Sequence, residues 1–218
     1  QFVDNVDPDN VPESSAAQAA LPRTHRTEED WTMQQIVRQP VLYFLMLSTL
    51  AYLTTFFFLL NHGVLHLTDN GVPAIEAASV IGLAILGSGM ARIPAGWLGD
   101  TFELRWTVFG SLLLMGCALL GQGFALLAAT GMLFGAGYGS MLVLGPVVTG
   151  NYFGERAFPV INSLLAPVML PFAALAPVGG GYVFEVTGSY DAAFAIALAL
   201  ILIGMIGAFL LKPPKKPV

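Results

Sequence analysis

Long stretches without a charged side chain constrain this chain more than any other feature of its sequence. Residues 39–68 and residues 106–154 contain no Asp, Glu, Lys or Arg. A helix needs about 20 consecutive apolar residues to cross the hydrocarbon core of a membrane, which is about 30 Å thick. The stretches are too long and too continuous for the short alternating strands of a membrane barrel. We therefore predict an all-α, polytopic membrane protein.

Six spans account for the uncharged stretches. Residues 106–154 are long enough for two helices and are interrupted at Gly121, Gln122 and Gly123, where a helix readily ends. The predicted helices lie near 41–66, 73–99, 104–120, 124–150, 157–185 and 190–211. The predicted domains are a polar linker or tail at 1–40 with a short helix near 28–38, a six-helix transmembrane domain at 41–212, and a tail at 213–218.

The composition argues against several other classes of protein. Charged residues make up 11% of the chain, less than half of the roughly 25% that a soluble domain carries. The net charge is -5 and no basic stripe is present to hold phosphates, so we expect no nucleic acid as a partner. His25, His62 and His66 are not spaced with carboxylates as a zinc site requires. We therefore expect no metal, no cofactor and no enzymatic activity.

The basic residues predict how the bundle is oriented. With six spans both ends of the chain lie on the same side, and Arg38, Arg105, Arg156 and Lys212 then all fall on that side. Lys and Arg are concentrated in the cytoplasmic loops of multispanning proteins. We expect both termini to be cytoplasmic, in a protein of the plasma (inner) membrane whose partners include the lipid bilayer.

The loop between the second and third spans carries a motif. Gly96, Leu98, Asp100 and Arg105 match, within one residue, the signature Gly-x-Leu-x-Asp-x-x-Gly-Arg-Arg, although Glu103 stands where that signature has its second glycine. This loop resembles the cytoplasmic loop of the major facilitator superfamily.

Three further runs extend the resemblance over about residues 31–212. The runs Arg92–Gly96 and Asn151–Gly154 resemble segments that lie before this loop and after the fourth helix of a half in that family. The run Gly181–Tyr190 resembles a segment typical of the monocarboxylate and oxalate/formate branch.

The resemblance implies a fold and a function. Members of the superfamily have twelve spans in two six-helix halves, so six spans imply one half. The run Gly181–Tyr190 belongs to the second half in that branch, so the resemblance implies the C-terminal half, with the N-terminal six-helix half as its missing partner. The implied function is secondary active transport of a small organic solute, a carboxylate anion, by alternating access. The alternative is a non-transporting membrane scaffold or sensor derived from the same fold.

Arg92 is the sharpest candidate for a binding residue. It lies seven residues before Gly99, about 10 Å into the span, and an arginine inside a span costs at least about 2.5 kcal/mol. A guanidinium binds a carboxylate through two parallel hydrogen bonds, and the resemblance implies this role for Arg92. The other interpretation is that Arg92 reaches the lipid headgroups or pairs within the bundle. Some relatives have an aspartate where this chain has Ser88.

Three uncharged side chains complete the predicted substrate site. Tyr52, Tyr138 and Asn162 lie within spans and either line the solute path or serve packing and interfacial anchoring. The pair His62 and His66, one helical turn apart, is interpreted as an interfacial pair rather than a metal site.

Gly96, Asp100 and Arg105 are predicted to form a conformational latch. We expect Gly96 to let the second and third helices approach where a Cβ atom would clash, and Asp100 to pair with basic groups. The alternative is that Asp100 and Arg105 are solvated loop charges. Separately, Gly131 and Gly135, spaced by four on an apolar helix, predict close helix packing.

Overall fold

The computed structural model describes residues 25–27, 31–120 and 127–215. Seven α-helices and one 3-10 turn, Glu155–Ala157, are the regular elements of this part of the chain. The helices are α1 Met33–Val37, α2 Pro40–Asp69, α3 Ala74–Thr101, α4 Leu104–Leu120, α5 Leu127–Phe153, α6 Phe158–Thr187 and α7 Asp191–Leu210. The prediction of an all-α bundle is confirmed. The predicted interruption at Gly121, Gln122 and Gly123 lies outside the described residues.

Five of the six predicted spans correspond to helices that are long and apolar enough to cross a membrane, namely α2, α3, α5, α6 and α7. The sixth, α4, is apolar but has 17 residues, which is the lower end of the length that spans a bilayer. It ends at residue 120, where the described part of the chain is interrupted.

The helix ends follow local chemistry. Thr32 and Gln35 form a reciprocal capping box at the start of α1, and Pro40 occupies the first turn of α2, where its missing N–H is no loss. Gly188 ends α6 with a φ of +71°, a left-handed conformation that glycine adopts without strain.

The closest helix contact joins α3 and α5. Gly131, Gly135 and Gly139 of α5 face backbone carbonyl groups of α3: a Cβ atom at Gly131 would lie 2.6 Å from the Val80 oxygen, and Cβ atoms at the other two would overlap the Ala84 and Ser88 oxygens. The prediction of close packing at Gly131 and Gly135 is confirmed. Small residues at every fourth position let the two backbones touch.

The packing role predicted for Gly96 is wrong. A Cβ atom at Gly96 would lie 3.7 Å from Val143 Cγ1, an ordinary van der Waals contact. Val143 belongs to α5 and not to the third span. The tight position is Gly99, where a Cβ atom would lie 3.0 Å from Leu144 Cδ2 of α5. The reason is that α3 turns its small residues toward α5 rather than toward α4.

The helices differ in how much of their surface the bundle covers. In the most apolar stretch of α3 only 22% of residues are buried, and in that of α6, counted with the 3-10 turn before it, 17%, against 44% in each of α2, α5 and α7. Large apolar side chains are exposed on both helices: Ile85, Met90 and Ile93 on α3, and Leu170, Phe172 and Leu175 on α6.

The two ends of the bundle carry opposite charges. We call the end with Arg38, Arg105, Arg156 and Lys212 the basic end, because these residues flank the helix termini there. The acidic end is the opposite one, where the helix termini carry Asp69, Glu76, Glu185 and Asp191.

Candidate functional site

Arg92 lies on an exposed face of α3. It is nine residues from the end of the helix at Thr101, about 14 Å at 1.5 Å per residue, and about 7 Å from the helix midpoint. The backbone of Arg92 is therefore well inside the span, on a side of α3 that the other described helices leave open.

Two of the predicted tyrosines join Arg92. The guanidinium lies close enough to Tyr138 of α5 for its charge to act on the phenol. The Tyr138 ring in turn lies 5.8 Å, centroid to centroid, from that of Tyr52 of α2, which is 8% exposed. Both tyrosines are within about 4 Å of the midpoints of their helices. Three of the four predicted binding residues thus form one cluster across α2, α3 and α5.

Phe56 belongs to this cluster and was not predicted. Its ring stacks on Tyr138 at 3.7 Å with an interplanar angle of 6°. Phe56 follows Tyr52 by four residues, so the two rings share one face of α2. That spacing is the sequence signal that could have identified it.

Asn162 lies apart from the cluster. Its side chain is exposed near the start of α6, and no described contact joins it to Arg92, Tyr52 or Tyr138. Its assignment to the substrate site stays a prediction.

The cluster lines an open wall and not an enclosed pocket of the bundle. A cavity of about 190 Å³ does lie among α2, α3, α4, α5 and α7, but it is at the acidic end and is lined by His66, Asn70, Thr130 and apolar side chains. Arg92 is not among its lining residues.

The predicted latch residues lie at the basic end with separate partners. Asp100 Oδ1 accepts a hydrogen bond from Arg26 Nη2 at 3.0 Å, and both side chains are more than half exposed. Arg105 Nε lies 2.9 Å from Glu103 Oε1, within ion-pair distance, although that nitrogen makes no hydrogen bond among the described atoms. Arg105 also lies 5.1 Å from the centre of the Trp106 ring.

The segment before α2 crosses the basic end. The Thr27 N–H donates to the Asn151 carbonyl at 2.9 Å, and the Trp31 ring meets that of Phe153 edge-on at 5.4 Å. With the Arg26–Asp100 pair, these contacts tie the ends of α3 and α5 to the chain that precedes them. The sequence pattern did not identify Arg26 as the partner of Asp100.

A comparison with models of protein families identifies the family to which the chain belongs. The family model for the Major Facilitator Superfamily matches residues 42–218, which cover the six long helices except the first two residues of α2, and include every residue of the Arg92 cluster. The chain belongs to the Major Facilitator Superfamily, a class of multispanning membrane transport proteins.

Individual relatives indicate which branch of the superfamily the chain is similar to. Monocarboxylate transporter 11 of Mus musculus is 29% identical over 153 residues, which cover 64% of this chain and 34% of that protein. Monocarboxylate transporter 13 is 27% identical over 165 residues in Bos taurus and 29% over 164 in Rattus norvegicus, covering 69% of this chain and 37% of each relative. The chain is thus similar to the monocarboxylate branch and spans about a third of the length of these relatives.

Proposed function

We propose that this chain is the C-terminal six-helix half of a secondary transporter that moves a small organic carboxylate by alternating access. The observation that carries the proposal is the position of Arg92, a cation within a membrane-length helix and on an exposed wall, whose charge acts on Tyr138. A charge at this depth is costly, and a bound carboxylate would neutralise it.

The cluster offers complementary contacts for such a solute. The Arg92 guanidinium can hold both carboxylate oxygens, and the Tyr138 hydroxyl beside it can donate a further hydrogen bond. The stacked rings of Phe56 and Tyr138 would contact the apolar part of the molecule. One face of the site thus suits the carboxylate group of the solute, and the other face suits its hydrocarbon part.

The uncovered faces of α3 and α6 support a second six-helix half as partner. Inverted and paired repeats in transporters place the solute between the two halves, which is where a wall residue such as Arg92 would lie. In this arrangement the basic end faces the cytoplasm of a plasma membrane protein, and both termini of the chain are cytoplasmic.

Uptake measurements with substituted protein test the proposal. We expect Arg92→Ala to lower uptake of a labelled monocarboxylate into liposomes containing the full-length transporter by about ten-fold or more, because a hydrogen bond to a charged group contributes roughly 1.5–3 kcal/mol. Arg92→Lys keeps the charge without the two parallel bonds and should fall between.

Ile206→Ala is the matched control, since Ile206 is 59% exposed on α7, which is not one of the two poorly covered helices; it should leave uptake unchanged. Normal uptake by Arg92→Ala would refute the role of the guanidinium. A full-length protein that reaches the membrane but transports no monocarboxylate would instead favour the scaffold or sensor alternative. The 218-residue chain alone should give no flux.

A further inference from the structure

One imidazole joins two helices and the turn that follows the second of them, at the acidic end of the bundle. His62, in the last third of α2, places Nε2 2.7 Å from the carbonyl oxygen of Pro177 in α6 and Nδ1 3.3 Å from the hydroxyl of Tyr190, the residue before α7. The two partners are 13 residues apart in the chain. The imidazole therefore clamps both ends of the segment 177–190 to α2.

The hydrogen-bond chemistry fixes the tautomer of the neutral ring. A carbonyl oxygen only accepts, so the proton of neutral His62 is on Nε2, and Nδ1 accepts the hydroxyl proton of Tyr190. Both ring nitrogens are thereby used.

The backbone around Pro177 explains why the clamp matters. A proline inside a helix cannot donate the bond to the residue four positions before it, so α6 lacks the link to the carbonyl of Ala173 where its last three turns begin. Gly180 then leaves room for the clamp: a Cβ atom there would lie 2.7 Å from Phe58 and 2.8 Å from the His62 ring.

Aromatic contacts enclose the clamp. The Tyr190 ring is 6% exposed, stacks on Phe184 at 4.5 Å and lies 5.1 Å from the His62 ring. The side chain of Tyr190 thus contacts its own segment on one side and α2 on the other.

The ionisable groups around His62 are mostly acidic. On α2 itself, His66 is one turn further along and Asp69 lies near the helix end. Among the described residues, α6 presents backbone and apolar groups to the ring, and its Glu185 is exposed two turns beyond Pro177. The α6–α7 turn supplies Tyr190, and α7 begins at Asp191. Glu76 begins the acidic end of α3. No Lys or Arg lies at the acidic end among the described residues.

We propose that His62 is a positioning residue that clamps the segment 177–190 to α2, and that a proton taken up at the acidic end tightens the clamp. Protonated imidazole donates from both nitrogens, and the Pro177 carbonyl and the Tyr190 oxygen can each accept, so both bonds become charge-assisted. In the transport cycle, a consequence that rests on the proposed function, the clamp holds the acidic end of α6 in place, and acid slows its release.

Hydrogen–deuterium exchange of the full-length protein in lipid nanodiscs, without solute, tests the clamp separately from transport. His62→Ala should raise exchange of the backbone amides of residues 178–190 by roughly five-fold or more, the factor that one ordinary hydrogen bond supplies. His62→Gln, whose amide can still donate to the Pro177 carbonyl, should restore part of the protection, and Tyr190→Phe should fall between wild type and His62→Ala.

Asn61→Ala is the matched control, because Asn61 is exposed and bonds only to its own helix at the Phe57 carbonyl; it should not change the segment. The ratio of exchange in His62→Gln to that in wild type should be larger at about pH 5.5 than at about pH 7.5, since an imidazole can take up a proton and then donate from both nitrogens, whereas the glutamine amide cannot.

The amides of residues 127–139, in the α3–α5 contact, report whether the fold is intact. If His62→Ala also raises exchange of residues 127–139, the clamp is judged from the other two variants. Partial protection of residues 178–190 in His62→Gln and intermediate exchange in Tyr190→Phe then support it. Unchanged exchange of residues 178–190 in the His62 variants would overturn the clamp, and a ratio that does not depend on pH would overturn its response to acid. Normal uptake in Arg92→Ala, with the expected exchange in the His62 variants, would refute only the proposed function and leave the clamp standing.

Discussion

Gly135 offers a sharp test of the packing between α3 and α5. An added Cβ atom would overlap the carbonyl oxygen of Ala84, and a backbone atom inside a helix cannot rotate away as a side chain does. The helices would have to separate until the contact reaches an ordinary 3.4 Å; even at Gly131, the least crowded of the three glycines, the starting distance is 2.6 Å.

The magnitude follows from the number of contacts that such a separation loosens. A gap of 0.5–1 Å removes about a quarter to a half of the attraction of each atom pair along the seam, and overpacking of a tight core costs about 1–3 kcal/mol. We expect Gly135→Ala to be at the upper end, about 3 kcal/mol, because the neighbour is backbone. At about 2–4 °C per kcal/mol for a chain of this size, the melting midpoint should fall by about 6–12 °C.

Thermal unfolding in detergent, followed by tryptophan fluorescence, measures this change. Gly150→Ala is the matched control: it is on the same helix, and a Cβ atom there has nothing within 4 Å, so its midpoint should stay within about 2 °C of wild type. Equal midpoints for Gly135→Ala and Gly150→Ala would show that the seam is not as tight as the fold requires.

Three further outcomes follow from the structure. Asp100→Asn should change the melting midpoint by no more than about 3 °C, because its pair with Arg26 is exposed, yet it should lower uptake if the pair stabilises one transport state, and exchanging the two charges should restore part of the rate. Burial, with Asp69 nearby, raises the pKa of Tyr190, so the folded chain keeps that proton longer than the unfolded chain and stability falls as pH rises above about 10; the midpoint of Tyr190→Phe should fall less than that of wild type between about pH 9 and 11. Cysteines at the exposed positions Glu155 and Glu185, in a Cys117→Ser background, should react with an impermeant reagent from opposite sides of the membrane, and reaction of both from one side would contradict the orientation.

The sequence determines the helices well because the bilayer dictates their length. The predicted start of α4 at residue 104 is the observed one, and the predicted end of α6 is within two residues of its observed end at Thr187. The prediction ended α2 near residue 66, whereas the helix continues to Asp69, because His66 and Thr68 are polar but are still compatible with a helix. Hydropathy marks where the membrane ends, and helices extend beyond that boundary.

Contacts between helices were less predictable. Gly131 and Gly135 could be identified as packing residues from their spacing alone, but which face of α3 they meet depends on the crossing of two helices and is not encoded in either one. For this reason the sequence predicts the close contact at Gly96, whereas the structure has it at Gly99. The partners of Asp100 and Tyr138 are distant in the sequence, at Arg26 and Tyr52, so no local pattern could have paired them.

The open position of Arg92 follows from what the proposed mechanism needs. If six helices of one half enclosed the guanidinium, rocking of the two halves would leave its exposure unchanged, and the solute could never be released on the opposite side. A guanidinium on the wall between the halves is exposed first to one side and then to the other as the halves rock. The cavity at the acidic end lies among helices of a single half and has no such alternation. The proposed mechanism requires that the binding site lies at a surface which the second half completes. That one requirement accounts both for the poorly covered faces of α3 and α6 and for the exposed charge in the span.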